Sequence, residues 1–211
     1  NYYHFKKDKT ALEHAQLSLD KMIMGGIYDQ IGGGLSRYAT DKAWLIPHFE
    51  KMLYDNALFI STLSDAYKIT KKSLYKETIE KTLTFIEREM THPNGGFYSA
   101  QDADSEGIEG KYYVWSKSEV DNILGEDAGL FNRFYGVSEG GNWERNNILW
   151  RKLDYENFCD ENNLAVDFFK NKMTSCREQL FKVRNQRIKP SLDDKMLLDW
   201  NALVVTAYAK A

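Results

Sequence analysis

Apolar residues recur along this chain at helical spacing, and the helices they predict fall into two kinds. Leu12, Ala15, Leu19, Met22 and Ile23 line one face of a helix whose intervening Glu13, Gln16 and Asp20 are polar. Tyr75, Ile79, Leu83, Ile86 and Met90 repeat the pattern, with Glu77, Glu80, Lys81 and Glu87 turned elsewhere. Leu164–Arg184 does so again through Phe168, Phe169, Met173, Leu180 and Phe181. A helix with one wet face belongs on the outside of a fold. Phe49–Ile69 is different: Met52, Leu53, Ala57, Leu58, Phe59, Ile60, Leu63, Ala66 and Tyr67 cover most of its circumference. Met196–Ala209 goes further, with Leu197, Leu198, Trp200, Leu203, Val204, Val205 and Tyr208. A helix apolar all round needs cover on every side. A weaker third member of this kind spans Lys117–Phe134, with a break near Gly125.

The order is therefore wet, buried, wet, buried, wet, buried, which concentric rings of helices produce. The outer-to-inner links Gly25–His48, His92–Ser116 and Asn185–Asp194 are long. The first return, Thr70–Lys72, is only a few residues. The second, Tyr135–Asn163, is long enough to hold a short hairpin. Lys51-Met52-Leu53-Tyr54-Asp55-Asn56-Ala57-Leu58 recurs, with one inserted residue, from Lys195 to Leu203, and Gly25-Gly26-Ile27-Tyr28 matches Gly95-Gly96-Phe97-Tyr98. Such self-similarity marks a repeat architecture. The expected fold is an all-α, partial (α/α) toroid of about three outer–inner pairs, one domain over residues 1–211. Phe97-Tyr98 and Tyr112–Trp115 read as two strands that make Asp102–Gly110 a hairpin tip.

Composition narrows the classes. With 43% hydrophobic and 28% charged residues the chain reads as an ordinary globular protein, and no apolar run is long enough to span a bilayer. A net charge of −3 gives no electrostatic reason to expect nucleic acid. Cys159 and Cys176 make no C-x-x-C pair and, without a signal peptide, read as reduced thiols of a cytoplasmic protein. The chain begins without Met and stops inside an unterminated helix, so it reads as a piece of a longer protein. Its open edges are then expected to self-associate or to stay as apolar patches.

Candidate chemistry sits in the three long links. The first holds five glycines between Gly25 and Gly34. A phosphate cradle would open a helix directly, but Ala39–Pro47 intervenes, so a tightly folded loop is the better reading. Arg37 is its anion or substrate ligand, with Tyr38 and Trp44 beside it. Pro47 suits a helix start, which would hold His48 at the helix mouth with Glu50 as acid and base. The bland alternative for His48 is a hydrogen-bonded structural histidine. In the second link Asp102, Asp104, Glu106 and Gly107 begin like a calcium loop. Tyr113 stands where a bidentate Glu is needed, so neither metal nor cofactor is expected. The third link carries Asp193 and Asp194, either caps of the next helix or further site carboxylates. Gln101, Trp200 and Asn201 complete the expected ligand-facing set. Tryptophan faces beside carboxylates suit sugar rings, although tryptophans are also ordinary core residues.

Three stretches, GGIYDQIGGGLSRYATDKAWLIPHFEKMLYDNAL, GGFYSAQDADSEGIEGKYYVW and LDDKMLLDWNAL, resemble in order the motifs of the spermatogenesis-associated, thioredoxin-domain family. They span most of Gly25–Leu203. The resemblance implies a toroid of the six-hairpin glycosidase and sugar-epimerase type, of which this is the first half, preceded by a thioredoxin-like domain absent here. Ser36 and Gln101 depart from the family pattern, which has histidine and often glutamate there, so proton transfer at those positions does not carry over. The function expected is a carbohydrate-active module, hydrolase-like or epimerase-like, with His48, Glu50, Asp102, Asp104, Asp193 and Asp194 as the acid–base set. A sugar or glycan is the expected partner, and neither nucleic acid nor membrane is. The alternative is a non-catalytic scaffold that presents the thioredoxin-like domain to clients.

Overall fold

The computed structural model describes residues 2–211 and is mostly helical. Its helices are α1 (Tyr2–Lys6), α2 (Lys9–Met24), α3 (Leu53–Thr70), α4 (Ser73–Glu89), α5 (Lys117–Leu124), α6 (Ala128–Tyr135), α7 (Tyr155–Asn162), α8 (Val166–Arg184) and α9 (Leu198–Lys210). Local chemistry sets several of their ends. Asp8 accepts the Thr10 and Ala11 amides at the start of α2, and Ser116 and Asp154 cap α5 and α7 in the same way. Lys71, left-handed at φ 56°, reverses the chain between α3 and α4. The Lys117–Phe134 segment does break near Gly125, at a 3-10 turn over Gly125–Asp127 that separates α5 from α6. Among the described residues no helix is long and apolar enough to cross a membrane.

Helices α2, α3 and α4 share one core through Ile23, Leu53, Ile60, Leu63, Tyr75, Phe85 and Ile86, which Val204 and Ala207 of α9 complete. Helix α3 lies directly against both α4 and α9. This arrangement corrects the expected three outer–inner pairs. Lys117–Phe134 is not a third inner helix: α5 and α6 pack on each other and α5 on α8, in a separate core. Phe134 is the hub of that core, its ring centroid 4.9 Å from those of Tyr155, Phe158 and Phe169. Helix α3 is thus the centre of the first core, with α4 and α9 against it, and α5–α8 form a helical excursion between α4 and α9 in sequence. Cys159 and Cys176 are buried free thiols within the excursion.

Seven two-residue strands draw the loops together: β1 (Tyr38–Ala39), β2 (Pro47–His48), β3 (Lys51–Met52), β4 (Ala100–Gln101), β5 (Asp104–Ser105), β6 (Ile108–Glu109) and β7 (Leu192–Asp193). Strand β4 sits between β3 and β7, antiparallel to both, with Lys51 opposite Gln101 and Ala100 opposite Asp193. One strand comes from each long link or its immediate continuation, so the three meet in one small sheet ahead of α3 and α9. Strand β1 pairs with β2 and β5 with β6. Pro47 and His48 are thus in a strand, and α3 starts only at Leu53 because the chain is first held in the sheet. The hairpin expected around Asp102–Gly110 exists, but its strands are β5 and β6; Phe97 makes only an isolated bridge to Thr91, and Lys111–Tyr113 form a turn.

The sequence repeat has a mechanical reason. Asn56 on α3 accepts the Leu35 amide at 2.7 Å and donates to the Leu35 and Met52 carbonyls. Asn201 on α9 accepts the Phe97 amide at 2.8 Å and donates to the Phe97 and Leu197 carbonyls. Helix α3 therefore clamps the loop that follows α2, and α9 clamps the loop that follows α4. Beneath the sheet, Asp29 joins Lys51 (2.8 Å) and Arg184 (2.9 Å), and Lys51 is 2% exposed. Burial alone would push the Asp29 carboxyl up, but the adjacent Arg184 and Lys51 charges hold it well below the usual carboxylate range. This triad ties the glycine loop to the lead-in of α3 and the end of α8. Asp29 also accepts the Ile31 and Gly32 amides, and Gly34, at φ 87°, lies where a Cβ would come within 2.7 Å of the Phe85 ring. The glycine loop is folded on itself and on the core.

Candidate acid–base site

His48 lies on β2, opposite Tyr38 of β1, and the two rings stack with centroids 5.0 Å apart. Its Nδ1 is 2.8 Å from Glu109 Oε1, and its Nε2 is 3.7 Å from Glu50 Oε2. An ionised carboxylate only accepts, so Nδ1 carries the hydrogen in that short bond and Nε2 is left towards Glu50. Glu109 also accepts the Phe49 amide at 3.3 Å, which fixes the hairpin tip against the lead-in of α3. Arg37 Nη1 donates to Glu50 Oε2 at 3.0 Å, and the Arg37 amide donates to the Glu50 carbonyl at 2.8 Å. The result is a half-exposed row, Arg37–Glu50–His48–Glu109, built by two hairpins and the residues just before β3.

Asp55, in the first turn of α3, adds a carboxyl of another kind. Its Oδ2 is buried without a hydrogen-bond partner. Burial pushes its pKa up to about 6; Arg37 opposes the shift, and the Glu50 charge adds to it. The neighbouring Tyr54 ring meets Trp200 of α9 edge-on at 4.8 Å, so aromatic surface flanks the row at Tyr38 and again at Tyr54 and Trp200.

The other expected site residues form no hydrogen bond or ion pair with the side chains of this row. Asp102 and Asp104 are exposed, and Asp102 Oδ1 accepts the Asp104 amide at 3.3 Å. Asp193 belongs to β7 and pairs with Lys195, and Asp194 is exposed. Neither caps α9, whose cap position is Leu197, so the capping reading of this pair is corrected. Gln101 is buried in the middle strand. Asn201 is committed to the Phe97 clamp, which replaces its expected ligand role by a structural one. Trp44 packs against the α2–α4 core and lines a different groove with Lys21, Met24 and Trp150.

Tyr54, Asp55 and Glu109 were not among the residues singled out from sequence. Asp55 had a local signal, its place in the repeated Lys-Met-Leu motif. Glu109 had none, since its contact with His48 spans 61 positions and depends on a hairpin fold.

No family model matches the chain. It is similar to spermatogenesis-associated protein 20 of Homo sapiens, 36% identical across 94% of this chain and 29% of that protein. The Mus musculus protein of the same name is 36% identical across 94% of this chain and 28% of its own length. An uncharacterised Caenorhabditis elegans protein is 34% identical across 98% of this chain and 32% of its own. The chain thus spans about a third of the length of these relatives.

Proposed function

We propose that the row around His48 is the acid–base centre of a carbohydrate-active module, set at the mouths of paired helices in an α/α toroid. The observation that carries the reading is the contrast between two carboxyls. Asp55 is pushed up to about 6 by burial, while Glu50 is ion-paired with Arg37. Two carboxyls in environments this different divide into a proton donor and an ionised partner, the requirement of glycoside hydrolysis. Asp55 would protonate the departing oxygen, and Glu50 would act on the opposite side as base or nucleophile. Arg37 holds Glu50, and His48, with its tautomer set by Glu109, offers Nε2 for a second proton transfer, which an epimerase-like reaction would need. Tyr38, Tyr54 and Trp200 supply the faces on which a pyranose ring packs.

The toroid is supported by the repeated clamp, Asn56 with Leu35 and Asn201 with Phe97, and by the meeting of the three links in one sheet. A thioredoxin-like domain elsewhere in the whole protein, and a cytoplasmic location for its two buried thiols, belong to the same proposal. A second reading, a scaffold without catalysis, draws on apolar side chains left open on α9, where Leu198 is 88% and Val205 65% exposed.

Incubating the protein with a panel of glycosides and reducing sugars, and following anomeric and ring protons by NMR, tests the proposal. Hydrolysis or epimerisation by the wild type, lost in Asp55→Asn and Glu50→Gln variants that stay folded, is expected. Turnover that survives both substitutions would remove the assignment.

A further inference from the structure

On the far side of Glu109 from His48 the surface opens into a groove of about 650 Å³, within the roughly 300–1,000 Å³ typical of ligand sites. Two hairpin tips form its rim. Glu106 and Gly107 turn the β5–β6 hairpin at φ 55° and 73°. Glu144 and Arg145, at φ 45° and 63°, turn a second one between Trp143 and Asn146, which exchange both backbone hydrogen bonds. Left-handed backbone at two successive residues with full side chains is disfavoured, and such strain collects at ligand-contacting turns. Sequence Gln186–Ile188, after α8, forms the opposite wall, and Tyr112 and Val114 line the groove beside it.

The charges in the groove select among ligands. Arg187 is fully engaged: it pairs with Glu119 at 2.7 Å, donates to the Tyr112 and Val114 carbonyls at 2.8 and 2.9 Å, and lies 4.0 Å from the Trp115 ring centroid. Lys111 pairs with Glu106 at 2.8 Å. Four carboxylates, Glu106, Glu109, Glu119 and Glu144, thus line the groove against two ion-paired cations, which disfavours a phosphate or carboxylate there. The carboxylates keep spare acceptor positions for hydroxyl groups, and Trp143 with the exposed Ile108 and Ile188 gives apolar surface between them. Hydroxyls around apolar ring faces are the complement of that surface. Glu109 is common to the groove and to the His48 pair, so the two are continuous.

We propose that this groove binds the adjoining residues of an oligosaccharide whose reacting ring lies at His48 and Glu50. The proposal rests on the carbohydrate reading above and extends it from a single ring to a chain. Calorimetry and NMR with glucose, mannose and N-acetylglucosamine, and with cellotetraose, maltotetraose, mannotetraose and chitotetraose, test it. One tetraose should bind about tenfold more tightly than its monosaccharide, a gain of the size that one aromatic stacking contact supplies. That tetraose should move the Trp143 indole resonance, whereas the monosaccharide moves only Tyr38 and His48. Ile188→Arg, at an exposed position, should abolish the gain and leave monosaccharide binding intact. Equal affinity for monosaccharide and tetraose, with His48 still responding, would overturn the groove and leave the carbohydrate reading standing. No response at either place would remove both. Displacement of the tetraose by a lysine-rich peptide that binds at Trp143 would reassign the groove to a cationic ligand.

Discussion

Asp55 is set apart from the other carboxylates near His48 by its buried, unpartnered Oδ2 and by a pKa raised from 3.8 to about 6. The sign of the resulting stability change follows directly. Below pH 3.8 the group is protonated in both folded and unfolded chains. Between 3.8 and about 6 the folded chain keeps a proton that the unfolded chain has released, so stability falls as pH rises through this window. Asp55→Asn removes that loss. Its melting temperature should therefore gain on wild type between pH 4 and pH 7, as scanning calorimetry at several pH values will register. A constant difference across the range would mean that Asp55 carries no such shift. His48→Asn tests a separate point. The ring is part-exposed and serves the row more than the core, so the variant should melt within a few degrees of wild type while losing sugar binding. A large fall in melting temperature would make His48 structural.

At the scale of elements, the buried triad is what keeps the lead-in of α3 in place. Asp29→Ala would leave Lys51 and Arg184 facing one another without a counter-charge, and losing one partner of a buried pair costs about 3–5 kcal/mol. Urea unfolding should show a loss of that size, and a loss below 1 kcal/mol would mean that solvent reaches the triad. The helices that bury one face were legible from periodicity: Leu12–Ile23, Tyr75–Met90 and Leu164–Arg184 fall within or beside α2, α4 and α8. The short strands were not, because two residues held by pairing partners far away in the chain leave no periodic trace, as for Ala100 and Asp193. For the same reason Pro47 read as a helix start rather than part of β2. The excursion does not show in the pattern because the apolar faces of α5 and α6 look like those of a core helix, while they pack on each other and, through α5, on α8. Within the site, Arg37, Tyr38, His48, Glu50 and Trp200 could be picked out because they lie near one motif or its repeat. Glu109 could not, because only the hairpin brings it to His48.

Over the whole molecule, the two apolar helices are not covered on all sides as their composition demands. Leu58 on α3 and Leu198 and Val205 on α9 remain open. Exposed apolar surface of this kind favours association. Sedimentation velocity should show the weight-average mass rising with concentration, and Leu198→Lys with Val205→Lys should suppress the rise without lowering thermal stability. A concentration-independent monomer would show that this surface is tolerated in water. The central claim, that the loops gathered ahead of α3 and α9 form a sugar-directed acid–base site, is tested most directly by thermal-shift measurement across a panel of sugars. Wild type should be stabilised by a restricted subset of them, and Glu50→Gln should lose that stabilisation while melting normally on its own. Stabilisation by no sugar, or an equal response from Glu50→Gln, would contradict it.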